Sequence, residues 1–135
     1  MDDLARFAGP RTIVTAYEDD RKDANYEALH DAWRRLVAMA DPEGRPFEVV
    51  RLPMPGPLHA GRRRLPASYA YFYVGNGVVL LPAYGPAARD RAAARILRRC
   101  FPGRAIVPIE CRELVHGYGG IHCATQQMPA VSATR

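Results

Sequence analysis

Lysine is almost missing from this chain of 135 residues: Lys22 is the only one, so arginine carries the formal net charge of +5. The one dense basic run is Arg62-Arg63-Arg64. Nucleic-acid binding asks for a wider basic patch with stacking aromatics or a recognisable module. The run therefore predicts a solvated loop between Pro57 and Pro66, whose Pro and Gly neighbours favour a loop, and no nucleic-acid partner. Long apolar stretches are lacking too: no run reaches the roughly eighteen residues that a membrane helix needs. The opening from Met1 to Phe7 carries two carboxylates where a secretory signal would have basic and then apolar residues, so neither a membrane span nor a signal is expected. Cysteine is scarce. Cys100, Cys111 and Cys123 form an odd set without disulfide-framework spacing, which points to a reducing, cytoplasmic compartment and leaves room for one reactive thiol.

What remains, 48% hydrophobic and 24% charged residues, is enough for one globular domain with a sizeable core. Thr12 to Tyr17 is short and β-branched and is closed by the charges from Glu18 to Asp23, so it predicts a buried strand. Tyr26, Leu29, Trp33, Leu36, Val37 and Ala40 then recur at helical spacing, with Asp23 or Asn25 available as N-cap and Asp41-Pro42-Glu43-Gly44 as the stop. Phe47 to Leu52 resumes strand character. In the second half, Tyr69 to Val74 and Val78 to Leu81 read as strands around Gly75-Asn76-Gly77, a hairpin signal. A helix follows from Pro86, burying Ala92, Ala93, Ile96, Leu97 and Cys100, with Arg98 and Arg99 suited to its C-terminal dipole. Pro102-Gly103 stops it. Ala105 to Ile109 is a further strand, and Pro108 marks it as an edge or a bulge.

The order strand, helix, strand thus occurs twice, with equivalent elements about sixty residues apart, giving repeats of about 1–60 and about 66–130. Such a unit buries its apolar face against neighbours, so two units alone leave faces open, and the chain reads as a piece of something larger.

Chemistry concentrates in the last quarter, where Gly117 to Ala130 reads Gly-Tyr-Gly-Gly-Ile-His-Cys-Ala-Thr-Gln-Gln-Met-Pro-Ala. A glycine run before a cysteine lets backbone approach a bound substrate closely. The thiolate is the reactive form, and a cationic substrate or neighbour favours it. By itself, Gly-Gly-x-His-Cys is a weak signal and fits a buried structural cysteine after a tight turn better. The whole string resembles the C-terminal signature of the agmatine deiminases and the related bacterial (Porphyromonas-type) peptidylarginine deiminases, in which His-Cys is followed by Thr-Gln-Gln-x-Pro-Ala. The resemblance extends through Asp2-Asp3-Leu4-Ala5-Arg6-Phe7, Phe47 to Pro53, Pro66-Ala67-Ser68-Tyr69, Phe72-Tyr73 and Asn76-Gly77-Val78-Val79. Only the tail beyond Ala130 is uninformative.

That resemblance implies an α/β fold, the five-bladed α/β propeller (pentein), of which these repeats would be the last two strand-helix-strand blades. It implies Cys123 as nucleophile and Asp2, on the aspartate of the family's His-x-Asp motif, as a carboxylate gripping the guanidinium. It implies no cofactor and no metal. The partner would be a small-molecule guanidine substrate, agmatine, converted to N-carbamoylputrescine and ammonia through an amidino-cysteine, as in putrescine biosynthesis. Peptidylarginine is the alternative substrate, a non-catalytic remnant the alternative role, and a second copy of the chain the other partner this reading allows.

Three positions depart from the family's pattern. The catalytic histidine would fall immediately before Met1, and the earlier repeats, with another carboxylate and a tryptophan, are not in this chain; a Gly-His pair is expected upstream in frame. Tyr71 stands where asparagine is expected, and Gly120 where asparagine is common. None of the four histidines substitutes for the missing one. His122 neighbours Cys123 and would point to the opposite face of a strand. His30 lies on a helix and His59 in a loop, and His116 is the least implausible replacement. A zinc site from Cys111, His116, His122 and Cys123 lacks the usual paired ligand spacing. Cys100 and Cys111 read as small core hydrophobes.

Overall fold

The structure is a computed structural model that describes residues 4–128. Its centre in the first half is β2 (Thr12–Tyr17), the β-branched run, buried from Ile13 onward. β1 (Ala5–Phe7) lies antiparallel on one side of it and β3 (Glu48–Pro53) parallel on the other. A parallel pair cannot be closed by a tight turn. The chain accordingly crosses between β2 and β3 through α1 (Tyr26–Val37), which buries Leu29. A short hairpin follows, β4 (His59–Ala60) with β5 (Arg63–Arg64). The second sheet has the same plan. β6 (Tyr73–Gly75) is antiparallel to β7 (Val78–Ala83), which is parallel to β8 (Ala105–Glu110) across α2 (Ala87–Cys100). Gly77 takes φ 71° in the β6–β7 turn, where a side chain would be strained.

One core joins the two sheets. Val14 and Leu52 from the first cluster with Val79 and Leu81 from the second and with Leu97 and Phe101 of α2 and its C-cap, and Ala16, Leu29 and Met54 form a smaller cluster. β8 lies at a sheet edge, where Pro108 opposes Leu81 and needs no second neighbour, and Val107 and Ile109 on it are exposed. Among the described residues no helix is long and apolar enough to cross a membrane.

The structure corrects several local expectations. Tyr69–Tyr71 is a 3-10 helix instead of strand, because the Ser68 hydroxyl accepts the Ala70 N–H at 3.2 Å and the Ser68 carbonyl accepts that of Tyr71 at 3.3 Å. A local cap of this kind competes with a ladder for the same donors. β1 was not anticipated, since a three-residue strand carries too little alternation to read. α1 ends at Val37, which is exposed, and Ala40 is in an isolated bridge with Pro46, so neither belongs to the buried stripe. Asn25 precedes α1 without a side-chain cap, and it is the Asp23 carboxylate that accepts the Asn25 N–H at 2.8 Å.

Arg62 and Arg63 are exposed as expected of a solvated segment, but Arg63–Arg64 form β5 and Arg64 is half-buried. Arg64 forks onto Asp23 with bonds of 2.7 and 2.9 Å, and the Arg63 guanidinium lies 4.9 Å from the centre of the Tyr118 ring. The Arg64 hydrogen bonds hold the Asp23 carboxyl below its ordinary value of 3.8, with burial opposing and the Asn25 N–H assisting. A carboxylate depressed in the folded state stabilises above that ordinary value, and its contribution is lost as pH falls below it. Arg64→Ala is therefore expected to cost about 2 kcal/mol at neutral pH, a range set by charge-assisted hydrogen bonds. The loss should shrink below about pH 3.8, measured by urea unfolding. An equal loss at pH 7 and pH 2.5 would remove the ion pair as its cause.

Candidate active site

Cys123 sits on a compact turn. The Ala124 N–H donates to the carbonyls of Gly120 and Ile121, both at 3.2 Å, and the Thr125 N–H to that of His122 at 3.2 Å. The Thr125 hydroxyl donates to the Ile121 carbonyl at 2.8 Å, closing the turn on itself. Ile121, 6% exposed, anchors it in the main core while Cys123 is exposed. This is helical-type turn, so the expectation that His122 and Cys123 occupy opposite faces of a strand has no basis here. The His122 N–H donates to the Tyr71 carbonyl at 3.1 Å, tying the turn to the 3-10 helix of the second unit.

The preceding glycines serve close approach. A Cβ on Gly119 would stand 3.1 Å from the Cys123 Cβ and 3.3 Å from its Sγ. Backbone therefore lies directly against the thiol, and a side chain would crowd it. Just before, Tyr118 takes the left-handed conformation, φ 61°, which turns the chain out of the short 3-10 helix Leu114–Gly117. Tyr118 also lines a cleft of about 380 Å³ with Leu4, Met54, Arg64 and Ser68; Cys123 does not line it.

The remaining candidates fall elsewhere. Asp2 lies outside the described residues. His30 stacks between Tyr17 and Tyr26, with ring centres at 4.4 and 3.9 Å, and its Nε2 is 3.0 Å from the Glu18 carbonyl, a structural placement. His59 is on β4 and not in a loop, and His116, exposed, is in the 3-10 helix Leu114–Gly117. Cys111 is fully buried and Cys100 half-buried. Among the described residues no group of three or more His, Cys, Asp and Glu side chains could hold a metal ion.

Sequence reasoning missed Arg6. From β1 its guanidinium donates to the Phe72 carbonyl and, at 3.4 Å, to that of Ala70, and lies 4.3 Å from the centre of the Phe72 ring. It thereby ties the strand that begins three residues after Asp2 to the segment that carries Tyr71. A lone arginine inside a short apolar strand was the available signal.

Burial pushes the Cys100 thiol up, with Glu48 adding, and burial likewise raises Cys111. Both are poor nucleophiles at neutral pH. Iodoacetamide at pH 7 is expected to alkylate Cys123 at least about tenfold faster than either, resolved by peptide mass spectrometry. Equal rates, or a preference for Cys100, would count against a reactive thiol at this turn.

Known proteins share this fold. The family model for Porphyromonas-type peptidyl-arginine deiminase matches residues 1–129. The agmatine deiminase of Medicago truncatula is 35% identical over 150 residues, which cover 97% of this chain and 40% of that protein. Among solved structures, a Porphyromonas gingivalis protein superposes with a TM-score of 0.91 at 41% identity, covering 95% of this chain and 38% of its own. The agmatine deiminase of Enterococcus faecalis gives 0.88 at 32%, covering 95% and 40%. A cysteine-to-serine variant of C. jejuni agmatine deiminase with substrate bound gives 0.82 at 30%, covering 93% and 35%. The chain thus spans about 40% of the length of the curated relatives it matches. With the family model matched over residues 1–129, this chain belongs to the Porphyromonas-type peptidyl-arginine deiminase family.

Proposed function

We propose that this chain is the nucleophile-bearing portion of an agmatine deiminase-like hydrolase, with Cys123 as nucleophile and Asp2 as a carboxylate that holds the guanidinium. The observation that carries the reading is the exposed Cys123 thiol on a self-closed turn with the Gly119 backbone against it. A cysteine-to-serine variant of one relative was solved with its substrate bound, which fits a cysteine needed for turnover and not for binding. The similar plan of the two sheets supports reading them as two blades of a pentein propeller.

In the proposed reaction the thiolate adds to the central guanidino carbon of agmatine. The C–N bond to one terminal nitrogen breaks, a general acid supplies the proton, and ammonia leaves an amidino-cysteine. Water then adds to that carbon, the C–S bond breaks, the thiolate is regenerated and N-carbamoylputrescine departs. Agmatine and water are thereby consumed, and ammonia and the ureido product formed. A planar guanidinium presents paired donors that a carboxylate accepts, the role assigned to Asp2. The reaction needs no cofactor, and the cytoplasm, where thiols stay reduced, is the compartment that suits it.

The test grafts this chain into the Enterococcus faecalis agmatine deiminase in place of its matching portion. Ammonia release from agmatine, and little from peptides ending in arginine, is the expected result. Release only from the peptides would move the substrate to peptidylarginine. A folded graft inert toward both would leave the remnant reading.

A further inference from the structure

Tyr71 and Gly120 are both departures from the expected pattern, and in the structure they touch. Tyr71, 4% exposed, closes the 3-10 helix Tyr69–Tyr71. Its neighbours are fixed from two directions, by the Ser68 cap and by the Arg6 guanidinium on the carbonyls of Ala70 and Phe72. Gly120 is buried against it. A Cβ on Gly120 would lie 2.6 Å from the Tyr71 Cβ, 2.6 Å from its Cγ and 2.7 Å from its Cδ2. Those atoms are next to the backbone and cannot swing aside as the tip of a long side chain would.

The requirement for glycine here is one of distance: Gly120 is absent from the positive-φ residues. Gly117, three residues earlier in the same approach, has open space where its Cβ would be. Closeness at Gly120 is transmitted to the thiol along two routes. The Gly120 carbonyl accepts the Ala124 N–H, so Cys123 is spanned by a bond that starts at Gly120. Gly119, one residue before, is the backbone that faces Cys123 Sγ.

We infer that Tyr71 is a positioning residue for Cys123, acting through its contact with Gly120 and through its carbonyl on the His122 N–H. The glycine at 120 is the complement of the tyrosine at 71. The two substitutions form one coupled unit, because a Cβ at 120 and the tyrosine side chain at 71 claim the same space. This deepens the proposed role of Cys123 and rests on it for its catalytic meaning, though the coupling itself is read without agmatine.

The test uses the chain of 135 residues in four forms: parent, Gly120→Ala, Tyr71→Gly, and Tyr71→Gly with Gly120→Ala. Hydrogen exchange of the peptide spanning 120–125 reads the docking of the turn. Gly120→Ala is expected to speed that exchange about tenfold in the tyrosine background, as overpacking of a close contact does, and to leave it unchanged in the glycine background. The same acceleration in both backgrounds, or in neither, overturns the coupling. The pH profile of Cys123 alkylation gives a second reading that global stability does not move and that does not need Tyr71→Gly to fold. Gly120→Ala should displace the profile and Gly117→Ala should not; identical profiles would overturn the positioning role. Failure of Cys123 as nucleophile would instead show as a parent thiol no faster than Cys100.

Discussion

Cys123→Ser in the grafted enzyme is expected to abolish ammonia release from agmatine, lowering the rate by about 10⁴-fold or more, the scale seen when a covalent nucleophile is removed. The thiol ionises far more readily than a hydroxyl and is the stronger nucleophile at neutral pH. Serine has nearly the same shape as cysteine and stands on the same exposed turn, which the Ala124 and Thr125 N–H groups and the Thr125 hydroxyl help to hold. Stability should therefore change by no more than about 0.5 kcal/mol, as for other surface substitutions, and agmatine binding should survive. Ammonia assays beside isothermal titration separate the two quantities. Activity within tenfold of the parent graft would remove Cys123 from the mechanism. The 135 residues on their own, spanning about 40% of the relatives' length, are expected to release no ammonia.

Stability is expected to collapse on the alkaline side. Tyr69 and Tyr84 are fully buried, and burial pushes both phenols well above the ordinary tyrosine value of 10.0. The Tyr69 hydroxyl donates to Asp90 at 2.6 Å, which raises it further, and that of Tyr84 donates to the Ser68 carbonyl at 3.1 Å. In the unfolded chain both ionise near 10.0 while the folded chain keeps its protons. Above that pH the folded state binds more protons, so raising pH favours unfolding. The contribution is complete below about pH 10 and is lost above it, at about 1.4 kcal/mol per pH unit for each tyrosine. The pair gives about 2.8 kcal/mol per unit. Cys100 and Cys111, also raised, begin an earlier and separate fall from their ordinary value of 9.0. Urea unfolding between pH 8 and 11.5 checks this. Tyr84→Phe should take about 1.4 kcal/mol per pH unit out of the slope above pH 10, and a stability flat to pH 11.5 would show that these phenols ionise as readily folded as unfolded.

The two helices and the strands β2 and β7 were legible because each carries its own period. The β-branched run Thr12–Tyr17 is buried in β2, and Ala93 and Leu97, four residues apart, are the buried face of α2. Tyr69 to Tyr71 misled because tyrosines suit a strand in composition, while the Ser68 hydroxyl and carbonyl take the backbone donors of Ala70 and Tyr71. The pairing of Arg64 was not legible in the Arg62-Arg63-Arg64 run because its partner, Asp23, lies far away in the chain.

By itself the sequence determined the family, the strand-helix-strand order and the cysteine to examine, since a contiguous string and short periods are local properties of the chain. The expected burial of Cys111 is met in full, with Cys123 exposed, but only the tertiary structure decided that Arg6 and Arg64 are tied into the fold by polar contacts with residues far along the chain. It alone decided that Tyr71 and Gly120 share one volume. The physical reason is that excluded volume and desolvation act between groups that folding brings together, at separations along the chain over which no periodicity extends.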